Sequence, residues 1–536
     1  MNIQKHFLSK NFFILSIFIL GIVFFYNDYG VDFDEYAYKN NSLIVYNLVK
    51  DYLIHNKINE LEFFEQINSN TGKITNVFYF IVFIIRDLIK NFVTIEIYKL
   101  ANLLNYTFFC IGLFFFFKTI KKRFKNRLYA YLGLIVLLAS PRIFSESFYN
   151  NRDIFFLSLN LILLYFTQNL FLKNNYKDIY SFSIILGLCL NVRFFSMMSL
   201  FFCLIIYFLE YFQKIKTSQL ILKLLLIGTL PIFFLILTTP YLWENFFETF
   251  GKFYFKDVSD SGNVRLTNIF LGKLYPSTFS PWYYYIVWIF FTTPFVFILL
   301  SSLGILYKII FFLHKIFNLE LNKNIWSDKK QLFDFYILIT LVFFLFFVSE
   351  FSPSKFDGWR HIYFLYPFII LNIFFILEWL KKKIFYFNTI ILILFITSSI
   401  NLYWTFKNKP YGFVYFNFFE KKLKQNSFDY DYWGVTNHKL IQFIINDLDN
   451  NSKESVTIGT ISFNNLLPHY YILSEDQKKR IKIVDQTEKP EYLIDNFRIP
   501  YKLNNYNNKK DILQFYKNIF EINVDGNIIA ILYKIR

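Results

Sequence analysis

The chain has 536 residues, with 56 Lys+Arg against 39 Asp+Glu for a net charge of +17; 55% of its residues are hydrophobic and only 18% are charged. Soluble domains carry roughly 25% charged residues. Here the apolar positions fall into long uninterrupted runs, which excludes a disordered, collagen-like or coiled-coil chain and argues against a soluble enzyme, whose core could not absorb so many runs. The 75 Phe fit the codon bias of an AT-rich genome, with Leu and Val positions drifted to Phe and Ile, and carry no functional weight.

In chain order, runs long enough to cross a bilayer lie at 8–26, 98–117, 128–144, 154–172, 219–238, 283–307, 332–349, 361–380 and 384–404. The stretch 179–212 is too long for one span and reads as two short helices meeting near Asn191-Val192-Arg193. At about 20 residues per crossing, the total is about eleven spans. The first run lacks a small-residue cleavage site behind it and reads as an uncleaved anchor, not a signal peptide.

Basic residues orient the bundle. The segment KTIKKRFKNR (118–127) carries six Lys/Arg, and Lys173/Lys177, Lys214/Lys216/Lys223, the five lysines of 308–330 and Lys381–Lys383 follow it. Alternation from a cytoplasmic N-terminus puts all of them on the same, inner side. The run 78–85 is too short to span and stops at Arg86-Asp87, so 76–93 reads as an interfacial helix on the outer face, after a first one at 41–54. Cys110, Cys189 and Cys203 all fall inside predicted spans and say nothing of a disulfide or metal site.

Beyond 404 the composition turns polar. HKLIQFIINDL and KKDILQFYKN read as helices, SVTIGTI, RIKIVD and EYLIDNF as strands, and FEINV-DG-NIIAILYKI as a hairpin turning at Asp525-Gly526. The expected architecture is therefore a membrane all-α helical bundle over 1–404 and a small extracytoplasmic α/β domain over 405–536. No nucleic-acid motif is present, and the positive charge suits loops facing anionic membrane lipids.

Four polar segments fall on the outer face. DFDEY supplies Asp32, Asp34 and Glu35 just beyond the first span. ASPRIFSESFYNNRD (139–153) supplies Arg142, Glu146, Arg152 and Asp153, the last placed to complement a helix N-terminus. Arg193 sits at the turn of 179–212, where a lone arginine ordinarily snorkels to lipid phosphate. FSPSKFDGWRHIYFLYP (351–367) supplies Lys355, Asp357, Arg360 and His361 at the start of a span, where a guanidinium can fork onto phosphate oxygens. Arg265 and Lys273 lie in the longest outer loop beside the aromatic stretch YPSTFSPWYYY, a contact surface for an isoprenoid chain or an interfacial belt. Carboxylates for acid–base work, cations for a phosphate and apolar grooves at bilayer depth together suit transfer of a sugar from a polyprenyl-phosphate lipid.

The Asp34-Glu35 pair in the first outer loop, the interfacial helices behind it, and the segments SPRIFSESFYNNRD, PYLWENF, PWYYY followed by TTP, DGWRHIYFLYP and YDYWG resemble the polytopic GT-C glycosyltransferases. Within them the chain is similar to protein O-mannosyltransferase and aminoarabinose transferase-like bacterial enzymes. The resemblance covers most of 1–434. It implies Asp34 as catalytic base, Glu35 or Glu146 supporting acceptor or metal, and Arg360, with Arg193 or Arg265, holding the lipid phosphate. It implies a polyprenyl-phosphate-linked sugar donor and an acceptor that is lipid, polysaccharide or protein, in the inner membrane. Some members need a divalent cation such as Mg or Mn and others do not, and no His/Asp ligand spacing here decides between them. No WWD-type signature of oligosaccharyltransferases is present. The rival reading is a transporter or flippase of lipid-linked sugars, but no internal repeat is visible and the charges gather at one face instead of the midplane.

Overall fold

The computed structural model describes residues 2–67, 77–251, 266–318, 325–383, 387–419, 427–450, 454–463, 465–499 and 509–536. Each apolar run forms helix. Among the described residues, seven helices are long and apolar enough to cross a membrane: Ile97–Phe124, Asp153–Lys173, Thr217–Thr238, Phe295–Phe317, Lys329–Phe351, Arg360–Lys382 and Phe387–Lys407. The helix Asn2–Phe24 and the shorter helices Arg127–Leu138, Tyr176–Val192 and Ser196–Tyr211 complete the bundle. The protein is a multi-pass membrane protein. Helices Asp153–Lys173 and Arg360–Lys382 are the most deeply buried of the seven, and Asp153–Lys173 packs against Ile97–Phe124 and Tyr176–Val192.

Small residues set the closest crossings, as expected where lipid replaces water and contact must come from tight packing. A methyl group on Gly304 would lie 2.0 Å from the carbonyl oxygen of Asn372, so helices Phe295–Phe317 and Tyr366–Lys383 approach backbone to backbone. Two expected spans are interrupted, both at prolines. The segment 128–144 ends its helix at Leu138, and Pro141 opens a separate short helix, Pro141–Glu146. The segment 283–307 breaks at Thr293-Pro294 into Tyr284–Thr292 and Phe295–Phe317. Asn417 repairs the break, its side-chain amide donating to the carbonyls of Phe290 and Thr293 at 2.6 and 3.0 Å.

At the end of the bundle away from the C-terminal domain, Asp334 is fully buried and accepts from Arg123 at 2.5 Å and Lys308 at 2.5 Å. Arg123 also reaches Glu378 at 3.1 Å. Four helices are tied by this one network. Nearby, Lys223 donates to the Asn174 carbonyl at 2.8 Å, Lys329 to the Leu172 carbonyl at 2.8 Å, and Trp326 to Glu210 at 2.6 Å.

At the opposite end the expected first interfacial helix runs Glu35–Leu53 and the second Val77–Ile89, packed on each other. Val77, Phe78, Tyr79, Val82 and Phe83 of the second are buried, while Ile84 and Leu88 are exposed. The antiparallel pair β1 (Thr267–Phe270) and β2 (Lys273–Pro276) lies at the same end, bridged from Phe270 to Phe428.

The C-terminal domain is a five-stranded sheet in the order β4 (Ile481–Ile483), β3 (Val456–Thr460), β5 (Tyr492–Asp495), β7 (Asn527–Ile535), β6 (Tyr516–Val524). β3 runs parallel to β4 and β5, and β7 antiparallel to β5 and β6. Helix Thr436–Asn450 packs on the sheet. The β6–β7 hairpin turns at Asp525 and Gly526, both with positive φ (53° and 88°), which suits a type I′ connection. The expected helix over KKDILQFYKN is only Lys509–Leu513; its second half is the start of β6, whose pairing with β7 outweighs local helical period. The domain is fastened to the bundle by the Trp404 indole, which donates to Asp525 at 2.7 Å, and by stacking of Tyr36 on Tyr471.

Candidate functional site

A tight turn presents the first acids. One carboxylate oxygen of Asp32 accepts from the backbone N–H groups of both Asp34 and Glu35 at 2.9 Å, an Asx turn that opens helix Glu35–Leu53. Consecutive side chains then diverge. Asp34 keeps 28% of its side chain exposed, whereas Glu35 is buried and accepts from the Tyr79 hydroxyl and, at 2.6 Å, from the Asn151 amide.

Arg360 is the hub. Its guanidinium donates to Asp34 at 3.3 Å, Asp153 at 3.2 Å and Asp357 at 3.0 Å, and lies 4.3 Å from the Trp433 ring centroid. Asp153, first residue of its helix, is shared with Arg193. Arg193 is thus held by a carboxylate and does not snorkel. Asp357 is shared with Arg498 of the C-terminal domain, at 3.0 and 3.1 Å. Arg152 donates to the Tyr38 hydroxyl one helical turn beyond Asp34.

Glu146 sits on the other flank, accepting from Tyr363 at 2.7 Å and Asn150 at 2.7 Å. Asn150 also reaches Asp153 at 3.3 Å, joining this flank to the hub. Burial pushes the carboxyl groups of Glu35 and Glu146 up to about 7, and raises Asp32 as well, the last helped by its acidic neighbours. Among the described residues, the Nε groups of Arg360 and Arg193 and both Nε and Nη2 of Arg142 are buried donors with no hydrogen-bond partner. These are unused N–H groups of the kind an anion would satisfy.

Of the residues expected from the sequence, Asp34, Asp153, Arg193 and Arg360 form one network, with Glu35 and Glu146 flanking it. His361 packs its ring against Phe356 at 4.8 Å, in the field of Arg360, Arg193 and Asp153. Lys355 stands apart: its ammonium is 3.4 Å from the Ser280 carbonyl, and its own backbone pairs with Ser277, Asn268 and Ser280. Arg265 lies outside the described residues. Sequence reasoning missed Tyr38, Tyr79 and Arg498, and it gave Tyr363 and Trp433 no role of their own in the site. Tyr38 could have been found, being four residues after Asp34 on the same helix face. Arg498 carries no local signal at all. Among the described residues no three His, Cys, Asp or Glu side chains are grouped to hold a metal ion; the acids of the hub are each held by a guanidinium, a donor set that does not fit a divalent cation.

Bundle and network define a multi-pass membrane protein whose charged site is buried between helix ends and a small α/β domain. No family model matches the chain, and neither does a curated protein sequence. Two solved structures of ArnT from Cupriavidus metallidurans align with it. One, bound to undecaprenyl phosphate, has 9% identity over 98% of this chain and 98% of that one, with a TM-score of 0.47. The other, in the apo state, has 10% identity over 99% and 98%, with a TM-score of 0.48.

Proposed function

We propose that the protein is a glycosyltransferase that moves a sugar from a polyprenyl-phosphate carrier to an acceptor hydroxyl or amine at the outer face of the membrane. The observation that carries this reading is the ion pair between the accessible Asp34 and the buried Arg360. A general base must be reachable by the acceptor, and a phosphate-binding cation gains from being desolvated. Asp34 takes the acceptor's proton while the acceptor oxygen or nitrogen bonds to the anomeric carbon. The bond from that carbon to the phosphate oxygen breaks, and its electron pair leaves on the lipid phosphate. The two events are coupled through Arg360. Protonation neutralises Asp34 and weakens its hold on the guanidinium just as the departing phosphate gains charge. The unpartnered Nε groups of Arg360 and Arg193 supply further donors.

The test is the envelope glycan of cells lacking the gene, complemented with wild type or Asp34→Asn. Wild type restores the missing sugar, while Asp34→Asn inserts and folds but restores less than about one part in a hundred, in line with loss of a general base. Full restoration by Asp34→Asn refutes the assignment.

A further inference from the structure

Arg498 is 8% exposed and belongs to the loop behind β5, yet three of its contacts lie in the site below. One nitrogen grips both oxygens of Asp357 at 3.0 and 3.1 Å. Another donates to the Tyr432 carbonyl at 2.5 Å, and the guanidinium lies 5.1 Å from the ring centroid of Phe33, the residue before Asp34. The Phe33 N–H in turn donates to the Trp433 carbonyl at 3.0 Å, and the Trp433 ring underlies Arg360. Two backbone features make these contacts possible. Phe497 has a φ of 63°, which turns the chain so that Arg498 faces the bundle, and Asp357 has a φ of 53°, a conformation unfavourable for a residue with a Cβ and sustained here by two arginines.

We infer that Arg498 is a positioning residue through which the C-terminal domain sets how much of the positive charge of Arg360 its acid partners offset, and hence the grip of the site on a phosphate anion; this rests on the function proposed above. Asp357 is shared between two guanidiniums, so each neutralises part of it. Without Arg498 the full charge of Asp357 falls on Arg360, which is then held by an undivided Asp357 as well as by Asp34 and by Asp153, the last still shared with Arg193. An incoming phosphate must compete with a tighter internal partner. The C-terminal domain is therefore part of the site's electrostatics as well as its cover.

The experiment is a double-mutant cycle on the full-length protein in detergent, using Arg498→Met, Asp357→Asn and the double variant. Affinity for a long-chain polyprenyl phosphate alone is read by tryptophan fluorescence. The near-ultraviolet circular dichroism of Trp433, identified by difference from Trp433→Phe, is read in parallel without ligand. Arg498→Met is expected to weaken binding about ten-fold in the wild-type background and by less than about two-fold when Asp357 is already Asn, the signature of residues acting as a unit. Equal losses in both backgrounds overturn the inference. Arg498→Lys keeps the charge but not the fork, and is expected to fall between the two; if the Met variant does not fold, the cycle is run with Lys and judged by the same criterion. If the lipid binds no form of the protein, the proposed function fails. The Trp433 signal then decides the positioning role separately: changes that do not add support it, and changes that add refute it.

Discussion

Asp34 and Glu35 are adjacent in sequence and opposite in circumstance, because the Asx turn at Asp32 leaves one at the surface of the site and sends the other into the core. Glu146 shares the fate of Glu35, and both carboxyl groups rise from an ordinary 4.5 to about 7 through burial. A raised carboxyl binds its proton more tightly in the folded chain than in the unfolded one. The stability it confers is complete below about pH 4.5, declines as pH rises towards 7, and is gone above that. The thermal midpoint of the detergent-solubilised protein is therefore expected to fall between pH 5 and pH 8. Glu146→Gln removes one such group while leaving an amide able to accept from Tyr363, and should flatten part of that fall, by on the order of 1–3 kcal/mol. Glu35 retains the rest. A pH profile of melting that is superimposable for wild type and Glu146→Gln would show that Glu146 does not take up a proton on folding.

Among the elements, what the sequence made legible was periodicity and punctuation. Apolar runs became helices, the Asp525-Gly526 turn became a hairpin, and the prolines at 141 and 294 mark where two expected spans break. Partners between elements were not legible. Arg193, taken alone, has the look of a lipid-facing arginine, and only the approach of the helix beginning at Asp153 makes it an ion-pair partner. Arg123, Lys308, Asp334 and Glu378 lie on four helices widely separated in sequence, and three of them read as ordinary basic flanks or helix-start acids. The network they form predicts its own fragility. Asp334→Ala leaves Arg123 and Lys308 buried without their shared carboxylate and should destabilise the bundle by about 3–5 kcal/mol, seen as a lower melting temperature and yield. Replacing all three with apolar residues (Arg123→Met, Lys308→Met, Asp334→Leu) should recover most of that loss, because the one charge left without its partner, Glu378, is 39% exposed and keeps its hydration. A triple variant no more stable than Asp334→Ala would mean that the network specifies helix geometry beyond its charge balance.

At the scale of the whole molecule, the two ends of the bundle differ in chemistry. Basic segments meet at one end, where Lys223, Lys329 and Trp326 cross-link neighbouring loops. The other end holds the Asp34–Arg360 network and the α/β domain. From the positive-inside rule we propose that the first end faces the cytoplasm, with the site and the domain above it facing out. This assignment depends on parity. Helix Val77–Ile89 has 13 residues, short of the roughly 20 that span a bilayer, and it packs along Glu35–Leu53 at the domain end. Were it to cross, every later loop would change sides and all the basic segments from 118–127 onward would move together to the outer face, against that rule. Reporter fusions distinguish the cases. Alkaline phosphatase joined after Arg536 should be active, and the same reporter joined after Lys216 inactive, with a fluorescent protein giving the reverse pattern at both sites. Equal phosphatase activity at both positions would put Lys216 outside and break the alternation. Inactivity after Arg536 would put the domain in the cytoplasm, and with it Asp34 and Arg360 on the face where nucleotide-linked sugars, instead of polyprenyl-phosphate ones, would be the accessible donors.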